Sequence, residues 1–122
     1  LEQSDFVSLH VPLTDATRGL INAEALAKMR QGAVLLNTAR GPVVDSAALA
    51  AALNAGKLAG AGIDVFEGEP PIAKDHPLCS AKNTVLTPHV AFASREALET
   101  RADIVFANIE KWLAGAPQNI VK

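Results

Sequence analysis

Three apolar segments of this sequence each stop at a short polar segment whose residues could do chemistry. The polar segments are residues 37–42, 64–71 and 87–89, and they supply a guanidinium, carboxylates and an imidazole. Such groups can orient an anionic substrate and move a proton beside a carbonyl or hydroxyl carbon. Because ligands bind at the carboxyl ends of the strands in an open parallel sheet, we expect the three segments to form one site.

Arg40 and His89 are the main candidates within these segments. Taken alone, an arginine in a polar turn and a single histidine are more often structural than catalytic. The fork of a guanidinium can nevertheless hold a substrate carboxylate and the reacting carbonyl better than a lysine can. The histidine follows an apolar strand and Pro88, and the neighbouring loop offers an acid. This arrangement favours an acid/base role for His89.

Strand-like and helix-like patterns alternate around these segments. Strands are predicted at residues 6–11, 33–36, 60–65 and 84–86, and helices at residues 22–29, at residues 46–54 and from about residue 94. Asn22 and Asp45 are plausible N-caps, and Gly56 suits a left-handed C-cap. The small residues of the third strand suggest a helix packed closely over it. Alternating elements predict parallel pairing through crossovers, and hence a doubly wound α/β sheet.

Four other residues are expected to have structural roles. His76, in the irregular stretch at residues 67–83, is predicted to be solvated, and the nearby Cys79 to be inert packing. Asp45 is explained by its capping position. Trp112 is predicted to share the core face of the last helix with Leu98, Ala102, Val105 and Ile109.

Composition narrows the class of protein. The 122 residues are 49% apolar, which is enough for one core, and the net charge of −2 comes from interspersed acids and bases. This pattern predicts neither a nucleic-acid interface nor a membrane surface, and no metal site is expected. One cysteine and no transmembrane-length apolar run favour a cytoplasmic protein. Since the sequence begins at Leu1, we expect it to be a piece of a longer chain.

A family resemblance rests on four ordered blocks. Residues 37–45 (NTARGPVVD), 60–71 (GAGIDVFEGEPP) and 86–90 (LTPHV) resemble the signature of the D-isomer-specific 2-hydroxyacid dehydrogenases, and residues 4–14 resemble the strand and loop before it. The resemblance implies that residues 1–122 are the nicotinamide-side half of a Rossmann-like NAD-binding domain, ending in a long helix. No G-x-G-x-x-G occurs here. The fingerprint and the substrate domain are expected outside this sequence.

The resemblance also implies a reaction. A hydride would pass between NAD, with NADP also open, and C2 of a small D-2-hydroxy or 2-oxo acid of the glycerate/hydroxypyruvate, glyoxylate or phosphoglycerate type. Arg40 would clamp the carboxylate and polarise the carbonyl, and His89 would exchange the proton. Glu69, the acid directly before proline, matches the histidine's partner and is preferred to Glu67. The longer parent chain is expected to be a homodimer.

Cofactor contacts follow from the same resemblance. Thr38 and Ala39 would line the nicotinamide ribose through backbone groups, and Asp64 would accept a hydrogen bond from the carboxamide. The full set of expected cofactor-binding residues is Val11, Pro12, Thr14, Thr38, Ala39, Arg40, Asp64, His89 and Ala91. One departure is Phe92, a bulky residue where many members have small ones.

Three alternatives are open at this stage. Formate dehydrogenases resemble this architecture but carry glutamine where Glu69 stands, so the acid favours a hydroxyacid substrate. A transcriptional corepressor of the same fold would bind the dinucleotide as a sensor, and it could retain the arginine, glutamate and histidine. The third alternative is that residues 1–122 alone form an inactive structural half.

Overall fold

A computed structural model describes residues 1–68 and 71–121. The elements are β1 (Phe6–Leu9), α1 (Ala23–Lys28), β2 (Ala33–Asn37), α2 (Ser46–Asn54), β3 (Leu58–Ile63), β4 (Thr84–Leu86) and α3 (Arg95–Leu113). Two short 3-10 helices, Gly41–Val43 and Pro77–Cys79, lie in the connections. The chain divides into two compact units, Leu1–Val90 and Ala91–Lys122. All four strands belong to the first unit.

The strands form one parallel sheet in the order β1-β2-β3-β4, which confirms the predicted α/β class. Their last residues are lateral partners: Leu9 pairs with Asn37, Asn37 with Ile63, and Ile63 with Leu86. Because the register is exact at this row, all four carboxyl ends reach the same edge of the sheet. The polar segments that follow the strands therefore begin side by side.

One face of the sheet carries the core of the first unit. Along β2, Ala33, Leu35 and Asn37 are buried and the residues between them are half-buried, as alternation in a strand requires. Helix α2 packs on β3, and α1 packs on α2. On the opposite face, Phe6 is 70% exposed and Val85 is 68% exposed.

Local signals explain where the helices begin. The side chains of Asn22, Asp45 and Ser94 accept hydrogen bonds from backbone amides three residues later, so each caps a helix. Helix α2 has the predicted bounds, and Gly56 after it adopts a φ of +73°. A left-handed glycine at that position ends a helix without steric cost.

Strand β3 differs from its prediction. It begins at Leu58 and ends at Ile63, two residues earlier than expected at both ends. A Cβ on Gly62 would lie 2.9 Å from the Leu36 side chain, and one on Gly60 would lie 3.0 Å from the Asn83 carbonyl oxygen. The glycines thus make room for a side chain of β2 and for the turn before β4.

Helix α3 begins near residue 94 as predicted, but its apolar face is not buried in the part of the chain that the structure describes. None of its residues is buried, and Trp112 is 69% exposed. The expectation that Trp112 packs in a core is therefore wrong for this chain. In the described ranges, no helix combines the length and the apolar character needed to cross a membrane.

Candidate active site

The loop after β1 is shaped by threonine hydroxyls. Thr17 Oγ1 donates to the carbonyl oxygen of Pro12 at 2.7 Å and accepts from the Thr14 amide at 2.8 Å. These bonds leave Pro12 and Thr14 exposed and Val11 half-buried. Thr17 was not singled out in the sequence, although a threonine that closes a turn three residues back is a recognised local pattern.

Asn37 builds the turn after β2. Its buried side chain donates from Nδ2 to the Arg40 carbonyl oxygen at 3.0 Å and accepts at Oδ1 from the Ala39 amide at 3.1 Å. The turn exposes Thr38 and Arg40 and buries Ala39. Sequence reasoning missed Asn37 as a site-building residue, although an asparagine that bonds the backbone two residues on is a known turn former.

The Arg40 side chain is exposed at this edge. Its Nη1 donates to the Ala39 carbonyl oxygen at 2.6 Å. A guanidinium has five N–H donors, so a single bond to a neighbouring carbonyl leaves most of the fork facing solvent. Arg40 thus keeps the donors that a carboxylate ligand needs.

Asp64, which follows β3, organises the loop after β4. Its carboxylate is almost completely buried, and Oδ1 accepts from the Thr87 hydroxyl and, at 2.8 Å, from the Val90 amide. Its backbone carbonyl accepts from the His89 amide at 2.9 Å, and its own amide donates to the Asn37 carbonyl at 3.0 Å. A buried carboxylate is costly unless it is hydrogen-bonded, and these donors meet that requirement.

His89 has an unusual backbone conformation. Its φ is +57°, which lies in the left-handed region that residues other than glycine rarely adopt. Such a conformation costs on the order of 1–2 kcal/mol and persists only where surrounding bonds impose it. Here Asp64 accepts from the amides of His89 and of the next residue. The hydrogen bonds to Asp64 therefore hold His89 in a strained backbone conformation next to the row of strand ends.

Glu69 lies outside the described residues, so its role as the acid partner remains a prediction. Glu67 is engaged elsewhere, since its Oε2 lies 3.1 Å from His76 Nε2. Burial raises the pKa of Glu67, but hydrogen bonds from Ser46, His76 and its own amide, together with the charge of His76, outweigh burial and hold that pKa below its usual value.

Two sequence-based expectations, for His76 and Cys79, are wrong, and the structure also describes the surroundings of Phe92. His76 was expected to be solvated, but its side chain is only 16% exposed and its ring stands edge-on to Phe66, with 5.3 Å between the centroids. Cys79 was expected to pack inside, but it is exposed. Phe92 is half-exposed in the second unit, where the Arg101 guanidinium lies 5.6 Å from its ring.

The edge of the sheet brings most of the expected residues to one row of strand ends. Pro12, Thr38, Arg40, Asp64 and His89 all lie within three residues of those ends. Val11 and Thr14 lie in the same β1 loop, whereas Ala91 begins the second unit and is described apart from them. In the described ranges, no three acidic, histidine or cysteine side chains are grouped to hold a metal ion.

The sequence matches a known family. Residues 1–91 match the family described as D-isomer specific 2-hydroxyacid dehydrogenase, NAD binding domain. The chain belongs to this family. Its parallel sheet, the polar segments at the strand ends and the left-handed histidine all lie in the matched range, and the resemblance inferred from the motifs is confirmed.

Individual members of the family are similar over the whole chain. The chain is 52% identical over 125 residues to a glycerate dehydrogenase of Methylorubrum extorquens, covering 100% of this chain and 39% of that protein. It is 51% identical over 122 residues to a glyoxylate reductase of Korarchaeum cryptofilum, covering 99% and 36%. The chain thus spans less than two fifths of either relative.

Solved structures agree with the fold. A D-isomer specific 2-hydroxyacid dehydrogenase from Xanthobacter autotrophicus Py2, crystallised with NADPH and MES, aligns with a TM-score of 0.80 and 45% identity. The alignment covers 98% of this chain and 48% of that one. The Rossmann-like α/β class expected from the sequence is confirmed.

Proposed function

We propose that this chain forms the nicotinamide-side part of an NAD(P)-dependent oxidoreductase acting on a small D-2-hydroxy or 2-oxo acid. The observation that carries the proposal is the exact register of the strand ends. It brings the segments holding Arg40, Asp64 and His89 to one edge. Glu69 belongs to the segment that follows β3 and completes the proposed catalytic set.

Arg40 would bind the substrate through its exposed guanidinium. Two parallel N–H donors fit a carboxylate, and a further donor can polarise the 2-oxo group. The substrate's reactive carbon would then be held beside the nicotinamide, which supplies the hydride when bound. Positioning of this kind accounts for a large part of catalysis in a two-substrate reaction.

His89 would deliver the proton. In reduction, the protonated imidazole gives its proton to the substrate oxygen, and in oxidation the neutral ring removes a proton from the hydroxyl group. Glu69 would stabilise the imidazolium and orient the ring. The hydrogen bonds that the His89 and Val90 amides donate to Asp64 fix the backbone here and would keep the imidazole in place during the reaction.

Cofactor binding would use residues around the same edge. Thr38, Ala39 and Arg40 would line the nicotinamide ribose, with Val11, Pro12 and Thr14 beside the dinucleotide. Asp64 and His89 would lie near the carboxamide, and Ala91 is a further proposed cofactor contact. NAD is the expected dinucleotide, and NADP is an alternative. The residue that discriminates between NAD and NADP follows the glycine-rich fingerprint, and this fingerprint does not occur in residues 1–122.

The relatives guide the choice of substrates. One is named a glycerate dehydrogenase and another a glyoxylate reductase, so short acids with small side chains are the first to test. We further propose a cytoplasmic homodimer for the protein that carries this sequence. A dinucleotide-sensing corepressor is the alternative function, and it would bind NADH without turnover.

The deciding experiment uses a full-length protein that contains this sequence. Oxidation of NADH and of NADPH is followed at 340 nm with glyoxylate, hydroxypyruvate and other 2-oxo acids. Turnover of at least one acid at about 1 s⁻¹ or faster, typical of enzymes, supports the proposal. NADH binding without turnover of any acid would favour the corepressor and contradict the proposed reaction.

A further inference from the structure

His76 is fixed from three sides although it belongs to the irregular segment after β3. Its Nδ1 accepts from the amide of Leu78 at 3.3 Å, and Leu78 is buried in the core. Its Nε2 faces the Glu67 carboxylate at 3.1 Å, and its ring stands against Phe66. Since Nδ1 accepts a hydrogen bond, the neutral ring must carry its proton on Nε2 and donate to Glu67.

The backbone of Glu67 also meets the segment after β2, since a Cβ on Gly41 would lie 2.5 Å from the Glu67 amide nitrogen. In the same region a Cβ on Gly41 would lie 1.7 Å from the Phe66 carbonyl oxygen, so the two backbones are in direct contact. The segment after β3 is therefore held against the turn that presents Arg40.

We propose that Glu67 and His76 form a positioning pair that aligns the loop after β3 with the Arg40 turn, and that the pair acts on the reaction without touching the substrate. The inference rests on the proposed function, because the aligned group is Arg40, which is proposed to bind the substrate. The hydrogen bond from His76 restrains Glu67, whose backbone lies against Gly41, and so restrains the contact between the two loops.

Two substitutions of His76 distinguish the effect of its contact with Glu67 from the effect of its local role as a helix cap. A glutamine amide can reach the position of Nε2 and donate to Glu67, whereas an asparagine amide can reach the position of Nδ1 and accept from Leu78. His76→Gln thus keeps the pair and loses the cap of the short helix Pro77–Cys79. His76→Asn keeps the cap and loses the pair.

The expected result in a full-length protein is a difference in kcat. His76→Asn should lower kcat for the 2-oxo acid by about tenfold, since small misplacements of catalytic groups have effects of this size or larger. The KM for NADH should stay within about twofold, and His76→Gln should keep kcat within about threefold. Glu67→Gln combined with His76→Asn should lower kcat no further than His76→Asn alone.

Other outcomes overturn the pair. Wild-type kcat in His76→Asn, an equal loss in His76→Gln, or losses that multiply in the double variant would each contradict it. Nitrogen-15 NMR of the histidine rings, at a pH where the ring of His76 is observed to carry a single proton, gives a readout independent of activity. A proton on Nε2 of His76 supports the pair, and a proton on Nδ1 contradicts it. Lack of turnover in the wild type would instead contradict the proposed function.

Discussion

Arg40 is held by its backbone and left free at its side chain. The Asn37 side chain donates a hydrogen bond to the Arg40 carbonyl and accepts one from the Ala39 amide, so the Cα of Arg40 is fixed. Among the described residues, the guanidinium itself bonds only to the Ala39 carbonyl. This division suits a residue that must be placed accurately and still bind a ligand. A lysine at the same Cα would offer a compact point charge in place of the planar fork.

Arg40→Lys in a full-length protein should therefore lower kcat/KM for the 2-oxo acid by at least about tenfold, because a two-point contact becomes one. NADH affinity, measured by fluorescence titration, should change little. Arg30→Lys is the matched control, since Arg30 precedes β2 at the opposite end and pairs with Asp5. Unchanged kcat/KM in Arg40→Lys would remove Arg40 from the site.

Glu67 should make stability depend on pH. Its pKa is lowered in the folded state, so the ionised form stabilises the fold above the ordinary value of 4.5, and the contribution is lost as pH falls through the lowered pKa. Because the side chain is 44% exposed, solvent limits the effect to about 0.5–1 kcal/mol. Urea unfolding of Glu67→Gln should show this loss at pH 7 and a smaller difference at a second pH well below 4.5.

The control for this pH prediction is Glu2→Gln, because Glu2 is an exposed carboxylate near the start of the chain. Its urea midpoint should match the wild type at both pH values. If the loss of unfolding free energy in Glu67→Gln is equally large at both pH values, then the shape of the Glu67 side chain, and not its charge, stabilises the fold.

The chemistry-bearing residues were easier to predict than the residues that place them. Arg40 and His89 follow apolar strands and belong to recognisable motifs. The contact between Glu67 and His76 joins residues nine apart across an irregular loop, so no periodicity announces it. The buried role of Asn37 was missed for a similar reason, since an asparagine at the end of a strand reads equally well as a solvated turn residue.

At the scale of elements, two loops meet at Gly41. A Cβ added to Gly41 would overlap the backbone of Phe66, because it would lie 1.7 Å from the carbonyl oxygen and 1.8 Å from the carbonyl carbon of that residue. Backbone atoms cannot rotate away as the tip of a side chain can. Only glycine therefore allows the segment after β3 to lie against the turn after β2.

Gly41→Ala should accordingly separate the two loops. We expect a loss of roughly 2–4 kcal/mol in unfolding free energy, the range of severe overpacking, or a fall in kcat/KM where the loops shift instead. Gly68→Ala is the matched control, because a Cβ there meets nothing within 4 Å. Urea melts and kinetics of both variants test the contact. Equal behaviour of the two variants would contradict it.

Element bounds were predicted best where local signals decide them. Helix α2 has a capping aspartate before it and a left-handed glycine after it, and both ends were correct. Strand β3 is different, because it begins where Leu58 pairs with Ala33 of the neighbouring strand. That pairing joins residues far apart in the sequence, and the run of alanines and glycines gave no pattern from which to infer it.

At the scale of the whole chain, each unit carries apolar surface. In the first unit, Phe6 on an edge strand and Val85 on the other edge strand are largely exposed. In the second unit, Phe106 and Trp112 are more than two thirds exposed along α3. Large apolar surfaces of this kind mark interaction sites, and an unpaired strand edge can template pairing with another copy.

We therefore expect residues 1–122, expressed alone, to self-associate and to show no dehydrogenase turnover. NADH affinity should be far below that of a full-length protein, because the sequence of residues 1–122 has no G-x-G-x-x-G, the motif that holds the pyrophosphate at a helix N-terminus. Sedimentation velocity and NADH fluorescence titration measure the two properties.

A pair of lysine variants identifies the surface responsible. Phe6→Lys places a charge on the exposed edge strand and should reduce self-association, as charged residues on natural sheet edges do. Ala47→Lys adds the same charge at an exposed position on α2 and should leave it unchanged. If residues 1–122 sediment as a stable monomer and bind NADH at micromolar concentration, the apolar surfaces do not drive association, and a dinucleotide site is complete within the chain.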